Sequence, residues 1–479
     1  MRLLRQLNFF EVLAMPVALM APTAGMALNT PFAAATAGIK VPLIFVLSTV
    51  GIACVGVGFI RLTRKFNDAG SVYGLTKAAV GPQYGFMAGW CLALVYVTFV
   101  GTLLAGFATF VNLLLSDLLG FTVPWPLLLL IGGAAVWAMG YRNIKLSTRT
   151  FMLCEGISIA LMFVLAGFIA VKGGAGGHSF SASPFTFSGT SFSGLSSALV
   201  FGFLTFIGFE GSAALGEESK NPSVAVPLAV FSAVVLAGIV FIAISYAQTI
   251  GFGLTAAGSK AYGLSAAPNT DLAVRFVSSG FATALNVGAA LSTFACALAS
   301  ADGAARVLFS LSRDRRLAAV HSKHHSPYVA LGVAMVVGLA ISEAFAGYTS
   351  SPSNVYGWTG ALATLAVIIA YGMTSIGATI YFWRQDIRKR AYYNFLPLLV
   401  AIPLLGYTFY SQIIPVRPRP WSCGRTSWSP TSSPAPASWL RSVAARYPAR
   451  PPGPQVTPRW SRSRCPSPTG RQGLSRKGT

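Results

Sequence analysis

Acidic side chains are scarce in this chain: 12 Asp and Glu stand against 35 Lys and Arg over 479 residues, and charged residues of all kinds make up only 10%. A soluble domain carries roughly 25% charged residues. With 54% hydrophobic residues and a mean hydropathy of +0.63, that shortage excludes an ordinary soluble fold and points to an all-α integral membrane protein. Cysteines number six. Cys54, Cys91, Cys154 and Cys296 lie inside apolar runs, where they act as small hydrophobes rather than a disulfide framework. Of the four histidines, His321, His324 and His325 cluster in a polar loop and read as solvated, so no metal site is expected. No acid/base or metal constellation converges, so neither an enzyme nor a cofactor is expected. No cleavable signal peptide is expected: the run after Arg2 and Arg5 is long, contains Pro22 and is followed by many more spans.

What is present is a succession of eleven apolar runs, at 11–37, 41–60, 83–115, 124–141, 150–171, 195–215, 225–251, 281–301, 329–347, 358–383 and 395–414. Each suits a helix of about 20 residues crossing a bilayer. The basic residues sort by loop. Alternate loops, beginning with the N-terminus, hold 19 Lys and Arg, among them Arg2, Arg5, Arg61, Lys77, Arg142, Lys220, Arg306 and Arg384. The opposite loops hold four: Lys40, Lys172, Lys260 and Arg275. That asymmetry predicts a cytoplasmic N-terminus (1–10) and a plasma (inner) membrane domain over 11–414. The net charge of +23 is therefore loop and tail charge, with no nucleic-acid partner implied.

Two spans are interrupted. The sixth contains FGFLTFIGFEGSAALGEESKNP, where Gly208, Glu210 and Gly211 break an apolar helix near its middle. An ionisable residue inside a membrane is costly and marks a functional site. The first span, EVLAMPVALMAPTAGMALNTPF, carries Pro16, Pro22, Gly25 and Pro31, so a break near Pro22 and Gly25 is expected. Interrupted helices at corresponding places in two halves are the sequence pointer to an inverted-repeat transporter site. The halves run over 11–171 and 195–383, with an extra helix at 395–414. A small solute is the expected partner, together with the bilayer. A channel would want repeated polar faces, whereas here polarity is concentrated at two breaks.

Residue chemistry leaves several roles open. Burial disfavours a charged carboxyl and a bound ammonium favours it, so Glu210 is read as the proton-coupling group. The alternative is a static carboxyl that satisfies amides freed by the break. Glu155 is a second buried acid, read as a polar partner within the bundle. Ser292 and Thr293 are adjacent hydroxyls, either a cation site for sodium or interhelical glue. Glu217, Glu218, Lys220, Asn221 and Pro222 read as the cap of the sixth span, and Asp302 and Arg306 as an i,i+4 pair. Tyr96, Thr98 and Trp358 are candidates to line the cavity.

Three segments carry a family resemblance. FNDAGSVYGLTKAAVGPQYGFMAGW is close to an Ala-Gly-x-x-Tyr loop followed by Gly-Phe-x-x-Gly-Trp. FIGFEGSAALGEESKNPSVAVP matches a Gly-Phe-Glu … Glu-Glu-x-x-Asn-Pro signature, and ADGAARVLFSLSRDRRL an Ala-x-x-Arg … Arg-Asp segment. In these the chain resembles the amino acid–polyamine–organocation permeases over about residues 11–414. The resemblance implies a five-plus-five inverted-repeat (LeuT-like) core with discontinuous first and sixth helices. It also implies transport of amino acids or related amines by alternating access, driven by protons or exchange. It puts a substrate carboxylate on Thr23, Ala24, Gly25 and Met26, and the amine at Leu204, Thr205, Phe206, Ile207 and Gly208, near the Leu204 and Ile207 carbonyls. Where many such permeases have Gly-Ser/Thr-Gly, this chain has Thr23-Ala24-Gly25, so only Thr23 supplies a hydroxyl. A sodium-coupled symporter and a non-transporting sensor of the same fold are the alternatives; signalling domains expected of a sensor are not evident in the tail.

Residues 415–479 contain no Asp or Glu and 12 of the basic residues. Their Arg/Pro/Ser/Trp bias is what an out-of-frame reading of a GC-rich gene yields. A frameshift near Val416, a disordered tail and a missing twelfth helix are expected; a basic tail that binds anionic lipid is the alternative.

Overall fold

The computed structural model describes residues 7–66, 71–142, 148–177, 180–189, 191–216, 218–313, 328–385 and 391–413. The turn at 67–70, Glu217, the Asp314–Arg316 charges, the three clustered histidines and the tail lie outside these residues.

Among the described residues the chain is helical, without a strand; one isolated bridge joins Leu7 and Ser219. In order, the helices are α1 (Phe9–Met20), α2 (Pro22–Ala37), α3 (Val41–Thr63), α4 (Val72–Val80), α5 (Pro82–Leu119) and α6 (Trp125–Tyr141). There follow α7 (Thr148–Lys172), α8 (Phe192–Leu204), α9 (Pro222–Phe252), α10 (Ala256–Leu264) and α11 (Pro268–Phe276). The last are α12 (Ser279–Arg313), α13 (Tyr328–Glu343), α14 (Pro352–Gln385) and α15 (Ala391–Ile413). Among the described residues, seven helical stretches are long and apolar enough to cross a membrane: Phe9–Thr63, Pro82–Leu119, Met152–Lys172, Phe192–Leu215, Pro222–Phe252, Ser279–Ser312 and Pro352–Arg384. Trp125–Tyr141, Tyr328–Glu343 and Leu399–Ile413 are shorter apolar helices. The expected runs at 11–37 and 41–60 thus fall in one helical stretch, divided by a break at Ala21 and a short turn at Gly38–Lys40.

α5 is the spine of the packing, touching α4, α6, α12, α13 and α14. Its 38 residues span ~57 Å at 1.5 Å per residue, longer than the ~30 Å hydrocarbon layer. Several hydroxyls within the helices are satisfied without water: Thr98, Thr102, Thr109 and Thr374 each donate to the carbonyl four residues back, which suits burial in a membrane. Outward-facing apolar side chains such as Leu130, Ile131, Ile157 and Val164 are exposed, a surface suited to lipid.

Both interruptions exist, the first at Ala21 beside Pro22 and the second at Gly208. In the first span the break falls at Ala21, not at Gly25. Pro22 opens α2 without an amide to offer, and the residue before a proline is driven out of helical geometry. Ala21 leaves the helix in a left-handed conformation (φ 40°, ψ 70°), and Thr23–Met26 form the first turn of α2 rather than an unwound step. In the sixth span α8 ends at Leu204, residues 205–208 form turns, and Gly208 is left-handed (φ 100°). The chain then continues as a 3-10 helix, Phe209–Leu215, rather than as an α-helix. The two breaks pack on each other. A Cβ at Gly25 would stand 2.6 Å from Thr205 Cγ2, and one at Gly208 would overlap Leu19.

Candidate functional site

The α2 N-terminus supplies amides in a buried setting, and the protein itself satisfies them. Thr23 N–H donates to Glu155 Oε1 on α7 at 2.7 Å, and Ala24 N–H to Ser292 Oγ on α12 at 3.3 Å. Gly25 N–H returns to the Ala21 carbonyl at 2.9 Å. A carboxylate at a helix N-terminus is the favoured arrangement, since amides and helix dipole act together. On the other side of the break, Cys296 Sγ donates to the Leu19 carbonyl at 2.9 Å. The Met26 carbonyl accepts Thr30 Oγ1 and Gln248 Nε2, each at 2.9 Å. The Thr23 hydroxyl is buried and has no hydrogen-bond partner among the described residues.

Tight turns carry the chain through the second break: Phe206 N–H to the Phe203 carbonyl, Ile207 N–H to Leu204, and Phe209 N–H to Phe206. The Leu204 carbonyl, expected to receive an ammonium, accepts the Ile207 amide at 3.2 Å with one of its two lone pairs. Gly208, by turning left-handed, sends the following segment back against α1 and presents Glu210 to the interior. Glu210 is 0% exposed. Tyr96 Oη on α5 donates to its Oε1 at 2.7 Å, and Tyr371 Oη on α14 donates to its Oε2. Tyr371 Oη also accepts Gly208 N–H at 3.4 Å. Phe59 and Phe209 meet the Tyr371 ring edge-on, at 5.8 and 4.9 Å between centroids. The carboxyl therefore fastens the broken segment to two other helices through two hydroxyls inside an aromatic cage.

A polar bridge and an aromatic stack lie beyond the breaks toward the C-terminal end of α2. Asn29 Nδ2 donates to Thr205 Oγ1 at 2.9 Å, and Tyr356 Oη donates to Asn29 Oδ1 at 2.8 Å. Phe32 stacks on Phe201 at 4.8 Å and on Tyr356 at 6.4 Å. At the Leu7 end, Leu7 N–H donates to the Glu218 carbonyl at 3.0 Å and Lys220 N–H to the Leu7 carbonyl at 3.1 Å. Arg306 joins that end, with Nη1 2.5 Å from Glu218 Oε1 and Nε 2.9 Å from Asp302 Oδ2.

All the residues marked from sequence at the two breaks, Thr23 to Met26, Leu204 to Gly208, and Glu210, are buried. Gly25 meets Thr205, and Gly208 meets Leu19 beside the α1–α2 break. Ser292 and Thr293 separate in role: Ser292 turns to the Ala24 amide, while the Thr293 hydroxyl donates to the Ala289 and Ala290 carbonyls of its own helix. Tyr96 reaches Glu210, whereas Thr98 bonds within α5 and Trp358 is exposed against Phe345. Sequence reasoning did not find Tyr371, Asn29, Tyr356 or Gln248. The available signal was polar tips in otherwise apolar helices, since a buried Tyr hydroxyl usually finds a partner.

A family model described as "Amino acid permease" matches residues 12–414. The chain is 27% identical over 351 residues to a branched-chain amino acid permease of Bacillus subtilis, covering 68% of this chain and 72% of that protein. It is 26% identical over 347 residues to a methylthioribose transporter of the same organism, covering 68% and 71%. With a low-affinity putrescine importer of Escherichia coli it shares 21% identity over 379 residues, covering 76% and 79%.

Proposed function

The chain belongs to the amino acid permease family, and from that premise we propose that it is a proton-coupled secondary transporter of amino acids or related amines, working by alternating access. The relatives carry, by their names, branched-chain amino acids, methylthioribose and putrescine, so the solute is set by this chain's own site. We take residues 11–171 and 195–383 as the two halves of a five-plus-five core in the plasma (inner) membrane. With the N-terminus cytoplasmic, the Leu7 clasp and Arg306 close the inner side, and Asn29, Phe32 and Tyr356 the outer.

The observation that carries this reading is Glu210, wholly buried at a helix break and held by hydroxyls from α5 and α14. While ionised, it accepts from both tyrosines at once. When protonated, it must itself donate through one oxygen, so one tyrosine has to turn its proton elsewhere and the fastening loosens. A hydrogen bond to a charged group contributes about 1.5–3 kcal/mol, enough to move a two-state equilibrium by one or two orders of magnitude. Protonation from outside would thus release 205–215 from α5 and α14, and proton loss to the cytoplasm would refasten it. The bound solute closes the cycle by favouring the state whose site it completes.

The test is uptake into proteoliposomes with and without an inward proton gradient. Glu210→Gln approximates the protonated carboxyl, since its amide offers one acceptor and must donate at the other position. It is expected to keep solute exchange and to lose acceleration by the gradient. Full gradient dependence in this variant would remove Glu210 as the coupling site.

A further inference from the structure

The buried centre of this protein holds two carboxyl side chains and no described cation to match them. Glu155 is 3% exposed and Glu210 0%, and neither is ion-paired with a described Lys or Arg. Buried or half-buried basic residues are committed elsewhere. Lys40 Nζ donates to the Ser183 carbonyl and Thr186 Oγ1, Lys172 Nζ to the Phe276 carbonyl, and Arg306 to Glu218 and Asp302. Glu210 has two hydroxyl donors. Glu155 instead holds the Thr23 amide at the one helix end between the breaks where an incoming anion would be received best.

That placement has a consequence for the solute. A solute carboxylate seeking the α2 amides meets Glu155 on Thr23, Ser292 on Ala24 and the Ala21 carbonyl on Gly25. To bind there it must displace Glu155 from the Thr23 amide, which strips a buried carboxylate of a donor and sets a second negative charge beside it. Both steps cost, the first because a buried charge is expensive in proportion to the donors it loses. A solute ammonium faces the reverse situation. It finds a carboxylate already oriented by an amide, and in the same helical turn the Thr23 hydroxyl, 1% exposed and able to accept from it.

We propose that Glu155 sets the charge class of the transported solute: it receives the solute's ammonium and keeps solute carboxylates off the α2 amides, so the preferred solute is an amine that carries no carboxylate. This rests on the transporter reading above and narrows it. Glu155 acts here as a binding and specificity residue, in direct contact with the solute.

Matched pairs that differ only by a carboxylate isolate the effect: isoamylamine against leucine, putrescine against ornithine, and phenethylamine against phenylalanine. Their binding to the full-length protein in detergent is measured by isothermal titration, and transport of the same compounds in proteoliposomes. In the wild type the amine of the best-bound pair is expected to bind at least tenfold more tightly than its amino acid. Glu155→Gln is expected to shrink that ratio at least tenfold, by weakening the amine and strengthening the amino acid. An amino acid that binds the wild type more tightly than its amine, or a ratio that Glu155→Gln leaves unchanged, overturns the proposal while the transporter reading stands. If folded wild-type protein binds no member of any pair, both fall together. Should Glu155→Gln fail to fold, the wild-type ratio still decides, and Glu155→Asp, which keeps the charge, is expected to preserve the preference for the amine.

Discussion

Leu19 and Gly208 touch so closely that no side chain fits between them: a Cβ on Gly208 would overlap the Leu19 side chain. Leu19 is the penultimate residue of α1, and Gly208 is the left-handed residue from which the Glu210 segment departs. The two breaks are therefore one packed unit, and movement of either must be felt by the other. Gly208→Ala adds the clash to the cost of a left-handed non-glycine residue, about 1–2 kcal/mol for the conformation alone. The variant is expected to fall in thermal stability and to lose uptake. If the clash dominates, Leu19→Ala in the same chain restores part of the stability, although Leu19→Ala alone destabilises by about 2–5 kcal/mol as a buried truncation. Melting of the three purified variants checks the order.

Tyr96→Phe and Tyr371→Phe each remove one donor from Glu210 without changing ring packing. Losing a hydrogen bond to an ionised partner costs about 1.5–3 kcal/mol. Each variant is expected to keep solute binding but to leak, with uptake that responds less to a proton gradient than the wild type does. Tyr371→Phe is expected to have the larger effect, because Tyr371 also accepts the Gly208 amide. Proton flux and solute flux measured in the same vesicles give the ratio that decides this.

The two helix breaks and the buried acid beside the second were legible in sequence, and their joinery was not. Glu210 announces itself because a carboxyl between glycines in an apolar run has no cheap structural reason to be there. Pro22 announces a break on the residue before it, and Ala21 leaves the helix while Gly25 stays within it. Tyr96 and Tyr371 lie 114 and 161 residues from Glu210, and nothing local in α5 or α14 names their partner. Ser292 and Thr293 look like one feature in sequence. One residue step turns a helix by about 100°, which sends their hydroxyls to different partners. Glu155 stood out as a buried acid, yet only the fold brings it to the Thr23 amide.

Asn29 accepts from Tyr356 and donates to Thr205, joining α2, α14 and the sixth-span break in one chain of hydrogen bonds. Asn29→Ala strands the Tyr356 hydroxyl and removes a donor from Thr205. Leaving buried polar groups unsatisfied costs about 1–3 kcal/mol. Tyr356→Phe removes the hydroxyl along with its need for a partner and is expected to cost less than Asn29→Ala. Reversed ranking in unfolding measurements would show that the bridge is not held through Asn29.

Cys296 offers a native reporter of whether α1 leaves its seat. Its thiol is 0% exposed and donates to the Leu19 carbonyl at the break, so a water-soluble thiol reagent can reach it only after α1 moves. Cys54, Cys91 and Cys154 are partly exposed, so the measurement needs a background in which these three and the two tail cysteines, Cys423 and Cys465, are Ala. In that background Cys296 is expected to react slowly at neutral pH. It should react about tenfold or more faster in Tyr371→Phe or Glu210→Gln, where the fastening of the broken segment is weakened by a bond of about 1.5–3 kcal/mol. A solute that stabilises the closed arrangement should slow the reaction again. Equal rates in all three proteins would mean that α1 and the Glu210 segment move independently, and that the contact between Leu19 and Gly208 transmits nothing.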